Sequence, residues 1–294
     1  MIGFVILHYL DEDCTNTCIK CIRDLEGEKH IVVVDNASEN GSGYRLMKTY
    51  EECEDVSVIF SSINAGFAKG NNMGVTYARQ HFQPDFIVVL NNDVEINQKD
   101  FCKRVVDTYK EHPFDMMGPD IISQYTGVHQ SPKRLDAITL ESVRSKAAYV
   151  RRSQNPVLMY LSSEEKKNVL LYRWKTRKKR EREGIDFATP KENVILHGSC
   201  IIFSRRFFEK RPEPFYAATF MYYEMEILDW ICRRQGLVSR YEPSICVLHH
   251  QNVSTSQRFR TMLQRSRFVT DCLLDSLGAA ERLLLEHSNE GVAL

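Results

Sequence analysis

The sequence predicts an α/β fold on a doubly wound, mostly parallel sheet, with flanking helices, a basic insertion and a C-terminal helical tail. Three observations carry that expectation. Aliphatic runs alternate with helix-length polar stretches through the first third of the chain. The runs show little period-two alternation, as in strands covered on both faces. Each of them leads into polar residues.

The strand-like runs are residues 2–8, 30–35, 56–61 and 86–91. Helix-like stretches at 15–25, 44–54 and 69–82 separate them, and this β-α-β-α order implies right-handed parallel crossovers. A further helix at 99–111 is ended by Pro113, and 116–122 reads as another strand. From 166 to 182 lysines and arginines crowd the chain, with Glu181 the single acid. Periodicity returns at 194–203, followed by a helix around 221–235, a strand at 244–249 and a last helix from about 258 to 285. The expected organisation is one domain over 1–255, carrying a basic insertion at about 144–185, and a helical tail over 256–294.

Composition narrows the partners. Lysine plus arginine and aspartate plus glutamate both number 39, so no net charge draws the chain to nucleic acid, and no nucleic-acid partner is expected. The longest apolar runs are far too short to span a bilayer. No secretory leader is expected, because Met1 runs straight into the first strand. Cys18 and Cys21 have C-x-x-C spacing, but no second ligand pair supports a structural zinc. The nine cysteines read as small apolar thiols kept reduced, which fits a cytoplasmic location.

The chemistry sits at the strand ends. In doubly wound sheets ligands bind beyond the carboxyl ends of the strands, where loops and helix N-termini converge. Here those ends carry His8 and Tyr9, Asp35 and Asn36, Asn64, and Asn91-Asn92-Asp93. A dinucleotide fold would need a glycine fingerprint after the first strand, and Tyr9-Leu10-Asp11-Glu12-Asp13 contains none. A phosphate-binding P-loop would need its lysine after the second glycine, whereas Gly66-Phe67-Ala68-Lys69-Gly70-Asn71 has it before.

Three ordered segments, Val32–Ser38 with Asp35-Asn36, Asn64–Asn72 with Gly66, Lys69 and Gly70, and Val89–Asp93, closely resemble glycosyltransferase family 2. Within it they are similar to bacterial rhamnosyltransferase-type enzymes of polysaccharide assembly. The resemblance resumes at His197-Gly198-Ser199-Cys200, Phe220–Glu224 and Val247-Leu248-His249 with Ser254-Thr255. It implies a GT-A fold and an inverting transferase. The expected reaction moves a sugar from a nucleoside-diphosphate donor, dTDP-rhamnose or a UDP-sugar, to a glycan or lipid-linked glycan acceptor.

The resemblance also implies roles. Asp35 is expected to hold the nucleotide base or ribose. The Asn64–Asn72 loop supplies glycines for close backbone approach and amides for the base. The nucleotide-binding set is then His8, Tyr9, Asp35, Asn36, Asn64, Gly66, Phe67, Lys69, Gly70, Asn71, Asn91 and Asn92, with His197 and Gly198 toward the acceptor. Asp93 stands where the family ligates a divalent cation, Mg²⁺ or Mn²⁺, and His249 is the additional ligand.

An inverting transfer needs a carboxylate to take the acceptor's proton. Relatives carry two adjacent acids where this chain reads Glu224-Met225-Glu226. Residues two apart on a helix point about 200° apart, so only one of the two is expected to face the site. Glu224 is the first choice and Glu226 the second. The 166–182 run, with Tyr172 and Trp174 among its charges, reads as a solvated helix or as a peripheral contact with an anionic membrane at its inner face. Two rival functions remain. Met225 allows a catalytically silent sugar-nucleotide binder or scaffold, whereas a nucleotidyltransferase would need a glycine-rich basic loop after strand one, which is absent.

Overall fold

The computed structural model describes residues 1–167, 169–250, 259 and 261–288; Ser254 and Thr255 lie outside the described residues. The first strands and helices follow the expected order: β1 (Ile2–His8), α1 (Glu12–Arg23), β2 (Lys29–Asp35), α2 (Ser42–Tyr50), β3 (Val56–Phe60), α3 (Gly66–His81) and β4 (Phe86–Asn91). Then come β5 (Val94–Glu95), α4 (Phe101–Glu111) and β6 (Met116–Ser123). The insertion consists of three helices, α5 (Leu140–Ser153), α6 (Pro156–Lys167) and α7 (Val169–Arg182). The chain continues through β7 (Lys191–Glu192), β8 (Cys200–Ser204), α8 (Arg205–Lys210), α9 (Glu224–Arg234), β9 (Ser239–His249) and α10 (Met262–Ser288).

The strands form one sheet in the order β3-β2-β1-β4-β8-β6-β9-β5, with β7 also paired to β9. Pairing is parallel from β3 to β4, as the aliphatic runs predict. Beyond β4 it is mixed: β8 lies antiparallel between β4 and β6, and β9 returns parallel to β6. Strands separated by long insertions are not obliged to follow a βαβ crossover, so this half escapes the simple alternating pattern. Its directions still matter for function. The start of β8 (Leu90 opposite Cys200) and the end of β9 (Ser123 opposite His249) reach the same edge as the carboxyl ends of β1, β2 and β4.

Two apolar layers sandwich the sheet. One face packs Ile19 and Ile22 of α1, Leu46 of α2 and Phe101 of α4 against Phe4, Ile6, Ile31 and Val33. The other packs α3, α5, α9 and α10 against Val5, Val32, Val34 and Val89. Alternate residues of β1 and β2 therefore serve opposite cores, which explains why neither strand alternates apolar with polar. The helix expected as a tail, α10, is an integral part of this second layer: Leu277, Ala280, Leu283 and Leu284 are buried in it. Among the described residues no helix is long and apolar enough to cross a membrane.

Candidate active site

The chain leaves β1 toward β2 and β3 on one side and returns to β4 on the other, so the crevice at the β1 and β4 ends is the switch point of the sheet. A cavity of about 620 Å³ opens there. Tyr9, Asn36, Asn64, Gly66, Phe67, Asn91 and Asn92 line one side. Asp93, His249, His197 and Gly198 line it further along the same edge, and Glu224, Met225 and Glu226 line it from the start of α9. The volume suits a ligand of nucleotide-sugar size.

The amide side is held by its own hydrogen bonds. Asn36 Nδ2 donates to Asn64 Oδ1 at 3.1 Å and to the Gly66 carbonyl at 3.3 Å, while Asn36 Oδ1 accepts from the Ala65 amide at 2.8 Å. Gly66 has φ +75°, and a Cβ there would lie 2.2 Å from the Phe220 carbonyl oxygen. That same carbonyl accepts from the Phe67 amide at 2.7 Å, tying the start of α3 to the segment before α9. Two motifs separated by some 150 residues in sequence are thus one piece of structure.

Several expected residues lie outside the cavity. His8 is fully buried beneath it, its ring nitrogens hydrogen-bonded to Thr15 Oγ1 (2.7 Å) and Ser42 Oγ (2.8 Å), which ties β1 to α1 and α2. Burial lowers its pKa, with Asp35 opposing. Asp35 faces inward: both carboxylate oxygens accept from the Ser38 amide at 3.3 Å, and it is Asn36 that reaches the cavity. Gly70 has a packing reason, since a Cβ there would lie 2.6 Å from Leu7 Cδ1 and force that side chain to shift. Asn71 is buried with its Nδ2 donating to the Phe67 carbonyl. Lys69 is exposed in a separate depression with Asn72 and Glu213. A strand end presents alternate side chains to opposite faces, so a polar motif there divides between cavity and core.

Asp93 and His249 meet in the cavity. His249 Nε2 lies 3.2 Å from Asp93 Oδ1, and both residues are buried. His249 Nδ1 is 2.8 Å from Gln130 Oε1; with that oxygen accepting, Nδ1 carries the proton and Nε2 presents its lone pair. Asp93 Oδ1 has no hydrogen-bond donor. A carboxylate oxygen and an imidazole lone pair that face each other without a shared proton suit a divalent cation. Among the described residues no group of three or more His, Cys, Asp or Glu side chains forms a complete cage. Two protein ligands are what a hard cation needs when phosphate oxygens and water complete its shell.

Both glutamates line the cavity, which corrects the expectation that only one could. Tyr222 and Tyr223 adopt left-handed backbone (φ 72° and 71°), turning the chain so that the first turn of α9 meets the cavity end-on. The 200° separation governs residues on a helix flank, not those at its open end. Glu226 Oε1 accepts from Lys133 Nζ at 2.8 Å. Glu224 is buried, its Oε1 has no donor, and burial pushes its pKa up to about 7, with a hydrogen bond from its own backbone amide and the charge of Lys133 pulling the other way. A carboxylic acid poised near neutrality can accept a proton and release it again.

Lys133, Arg134, Lys146 and Gln130 were not legible as site residues. The first two and Gln130 sit on the loop after β6, and Lys146 on α5. The basic helix α7 holds that loop: Arg180 donates to the carbonyls of His129 (2.8 Å), Pro132 (2.5 Å) and Lys133 (3.3 Å), and Arg177 to that of Thr126 (3.2 Å). Part of the basic run is therefore scaffold. The C-x-x-C cysteines sit on α1 as free thiols, and burial raises the pKa of Cys18 and Cys21.

The site thus unites, in a three-layer α/β domain, an amide-lined crevice at the switch point, an acid–imidazole pair and a buried acid. Comparison gives the family: residues 4–211 match the model of glycosyl transferase family 2, and the chain belongs to that family. A curated relative, the low-salt glycan biosynthesis hexosyltransferase Agl10 of Haloferax volcanii, is 27% identical over 133 residues, 45% of this chain and 40% of the relative. The fold is GT-A, as in S. aureus TarS 1–349 (TM-score 0.53, 12% identity, 85% of this chain and 60% of that one). It is shared by the Pyrobaculum calidifontis mannosyltransferase PcManGT in complex with GDP-Man and Mn²⁺ (TM-score 0.52, 11% identity, 100% of this chain and 80% of that one). The chain thus spans under two thirds of the length of both Agl10 and TarS 1–349.

Proposed function

We propose that this protein is an inverting glycosyltransferase that moves a sugar from a nucleoside diphosphate, dTDP-rhamnose or a UDP-sugar, to a hydroxyl of a glycan or lipid-linked glycan. One observation carries the reading: Glu224, a buried carboxyl with an unpartnered oxygen and a pKa near 7, faces the same cavity as Asp93, His249 and the strand-end amides. Buried polar atoms without partners are rare, and a titratable one in a cleft is the usual mark of chemistry.

The amides of Asn36, Asn64, Asn91 and Asn92 hold the nucleotide, and Asp93 with His249 holds a divalent cation at the diphosphate. That cation supplies charge neutralisation for the departing nucleoside diphosphate. Glu224 takes the proton of the acceptor hydroxyl as its oxygen forms the new bond to the anomeric carbon, and the bond from that carbon to the diphosphate oxygen breaks. Lys133 donates to Glu226, so the two neighbouring acids divide into an anchored carboxylate and a base. Such a division disfavours a silent binder, in which burying an unpaired acid would cost stability and bring nothing.

Peripheral contact with an anionic membrane is part of the reading. Leu158, Tyr160, Leu161 and Leu170 stand exposed on α6 and α7, and Trp174 is 56% exposed beside Lys175, Lys178 and Lys179. Apolar side chains with an interfacial tryptophan and lysines are the composition of a surface-lying helix pair.

The test is a thermal-shift panel of nucleotide sugars with Mn²⁺ or Mg²⁺, followed by release of nucleoside diphosphate from the donor that shifts the melt. The true donor should raise the midpoint by mass action. No shift with any sugar nucleotide, with or without metal, would refute the proposal.

A further inference from the structure

The α9 side of the cavity carries more positive charge than the two glutamates account for. Lys133, Arg134 and Lys146 all line the cavity there, from the loop after β6 and from α5. Lys133 is committed to Glu226. Among the described residues neither Arg134 nor Lys146 has a carboxylate within ion-pair distance. Partial desolvation lowers the pKa of Lys146, and the charges of Lys179, Lys133 and Arg134 lower it further against the pull of Glu226. Like charges brought together at one wall repel unless an anion sits among them.

The position of this cluster says which substrate it serves. The diphosphate of the donor belongs at Asp93 and His249, on the ends of β4 and β9. The cations flank α9, whose first residue is the base, and whatever touches the base is the acceptor. An arginine fork and an ammonium group beside the attacking hydroxyl match an oxyanion in shape and charge.

We propose that the acceptor is anionic, carrying a phosphate or carboxylate that sits on Arg134 and Lys146, beside the Lys133–Glu226 pair, while its hydroxyl meets Glu224. The inference rests on the glycosyltransferase reading and names the substrate class of that site.

The experiment loads the full chain with UDP and Mn²⁺, confirms donor-side binding by calorimetry, and then titrates glycerol 3-phosphate, glucuronate and uncharged glycerol. The phosphate or carboxylate probe should bind about 10-fold or more tighter than glycerol, the scale of a hydrogen bond to a charged group. Which anion gains more identifies the source of the charge. The double variant Arg134→Ala/Lys146→Ala should bring the charged probes to within about 2-fold of glycerol while UDP binds as to the parent. Equal binding of charged and neutral probes to the parent overturns the proposal. So does a double variant that loses UDP instead, which would assign the cluster to the donor. If UDP fails to bind the parent, the donor reading falls by itself. The same probe series without UDP then still decides whether the cluster prefers an anion.

Discussion

The two walls of the cavity are built from different chemistry. Along the β1–β4 ends the wall is neutral, and Asn36, Asn64 and the Gly66 backbone satisfy one another at 2.8–3.3 Å before any ligand arrives. Along α9 the wall is charged: Glu224 has an unpartnered oxygen, Glu226 is anchored by Lys133, and Arg134 and Lys146 have no ion-pair partner among the described residues. A satisfied amide network costs the fold little and fixes a shape. Buried, unsatisfied charge costs stability and is retained where a reaction uses it. Under the proposed function, the first wall holds a ligand and the second changes it.

The strongest way to break that division is at Glu224. Glu224→Gln keeps the shape but cannot take a proton, so turnover should fall about 10²–10⁴-fold with donor affinity unchanged. Glu226→Gln should cost less in turnover and should lower the pKa of Glu224, because a neighbouring negative charge is removed. Stopped assays of nucleoside diphosphate release beside calorimetry of the donor would separate the two. Comparable losses in donor affinity from Glu224→Gln would erase the distinction between the walls.

The pH dependence sharpens the same point. Glu224 must be ionised to act, so turnover should rise as pH climbs through about 7. Stability should move the other way. A carboxyl whose folded pKa is raised from 4.5 to about 7 favours the fold while protonated, so its contribution is fully present below about 4.5 and is lost as pH rises to about 7. Glu224→Gln should therefore melt higher than the parent at pH 8 and close to it at pH 4.5. A variant less stable than the parent at pH 8 would mean that the carboxylate is held by a partner.

On the amide wall the expected effects are smaller. Gly66→Ala forces a side chain into left-handed backbone and against the Phe220 carbonyl, so a loss of about 1–3 kcal/mol in stability is expected, with weaker donor binding. Denaturant melts and UDP titration measure both. The smallest effect belongs to the outer surface: Trp174→Ala should reduce sedimentation with phosphatidylglycerol vesicles a few-fold, and rising salt should reduce that of the parent. Equal sedimentation of parent and variant would remove the membrane contact and leave the walls untouched.

The walls also differ in how far the sequence exposes them. The convergence of the strand-end motifs was legible because each strand of a parallel half-sheet ends at the same edge. Even there the period of two was missed: of Asp35 and Asn36 only the asparagine reaches the cavity, and His8 is spent on Thr15 and Ser42. Glu224 and Glu226 were legible as residues but not as a pair, because the left-handed turn at Tyr222 and Tyr223 has no glycine to announce it. Lys133, Arg134 and Lys146 gave no signal at all. They are ordinary lysines and an arginine in sequence, brought to the site by a loop that Arg177 and Arg180 of the basic helix hold in place.

The central claim, that the edge of the sheet binds a nucleotide diphosphate through a cation at Asp93, is tested most directly by one calorimetric series. UDP and dTDP are titrated into the parent and into Asp93→Ala, each with and without Mn²⁺. The parent should bind one of the nucleotides and bind it more tightly with Mn²⁺. Asp93→Ala should match the parent without metal and gain nothing when metal is added. A parent that binds neither nucleotide, or an Asp93→Ala variant with the full metal-dependent gain, would contradict the account.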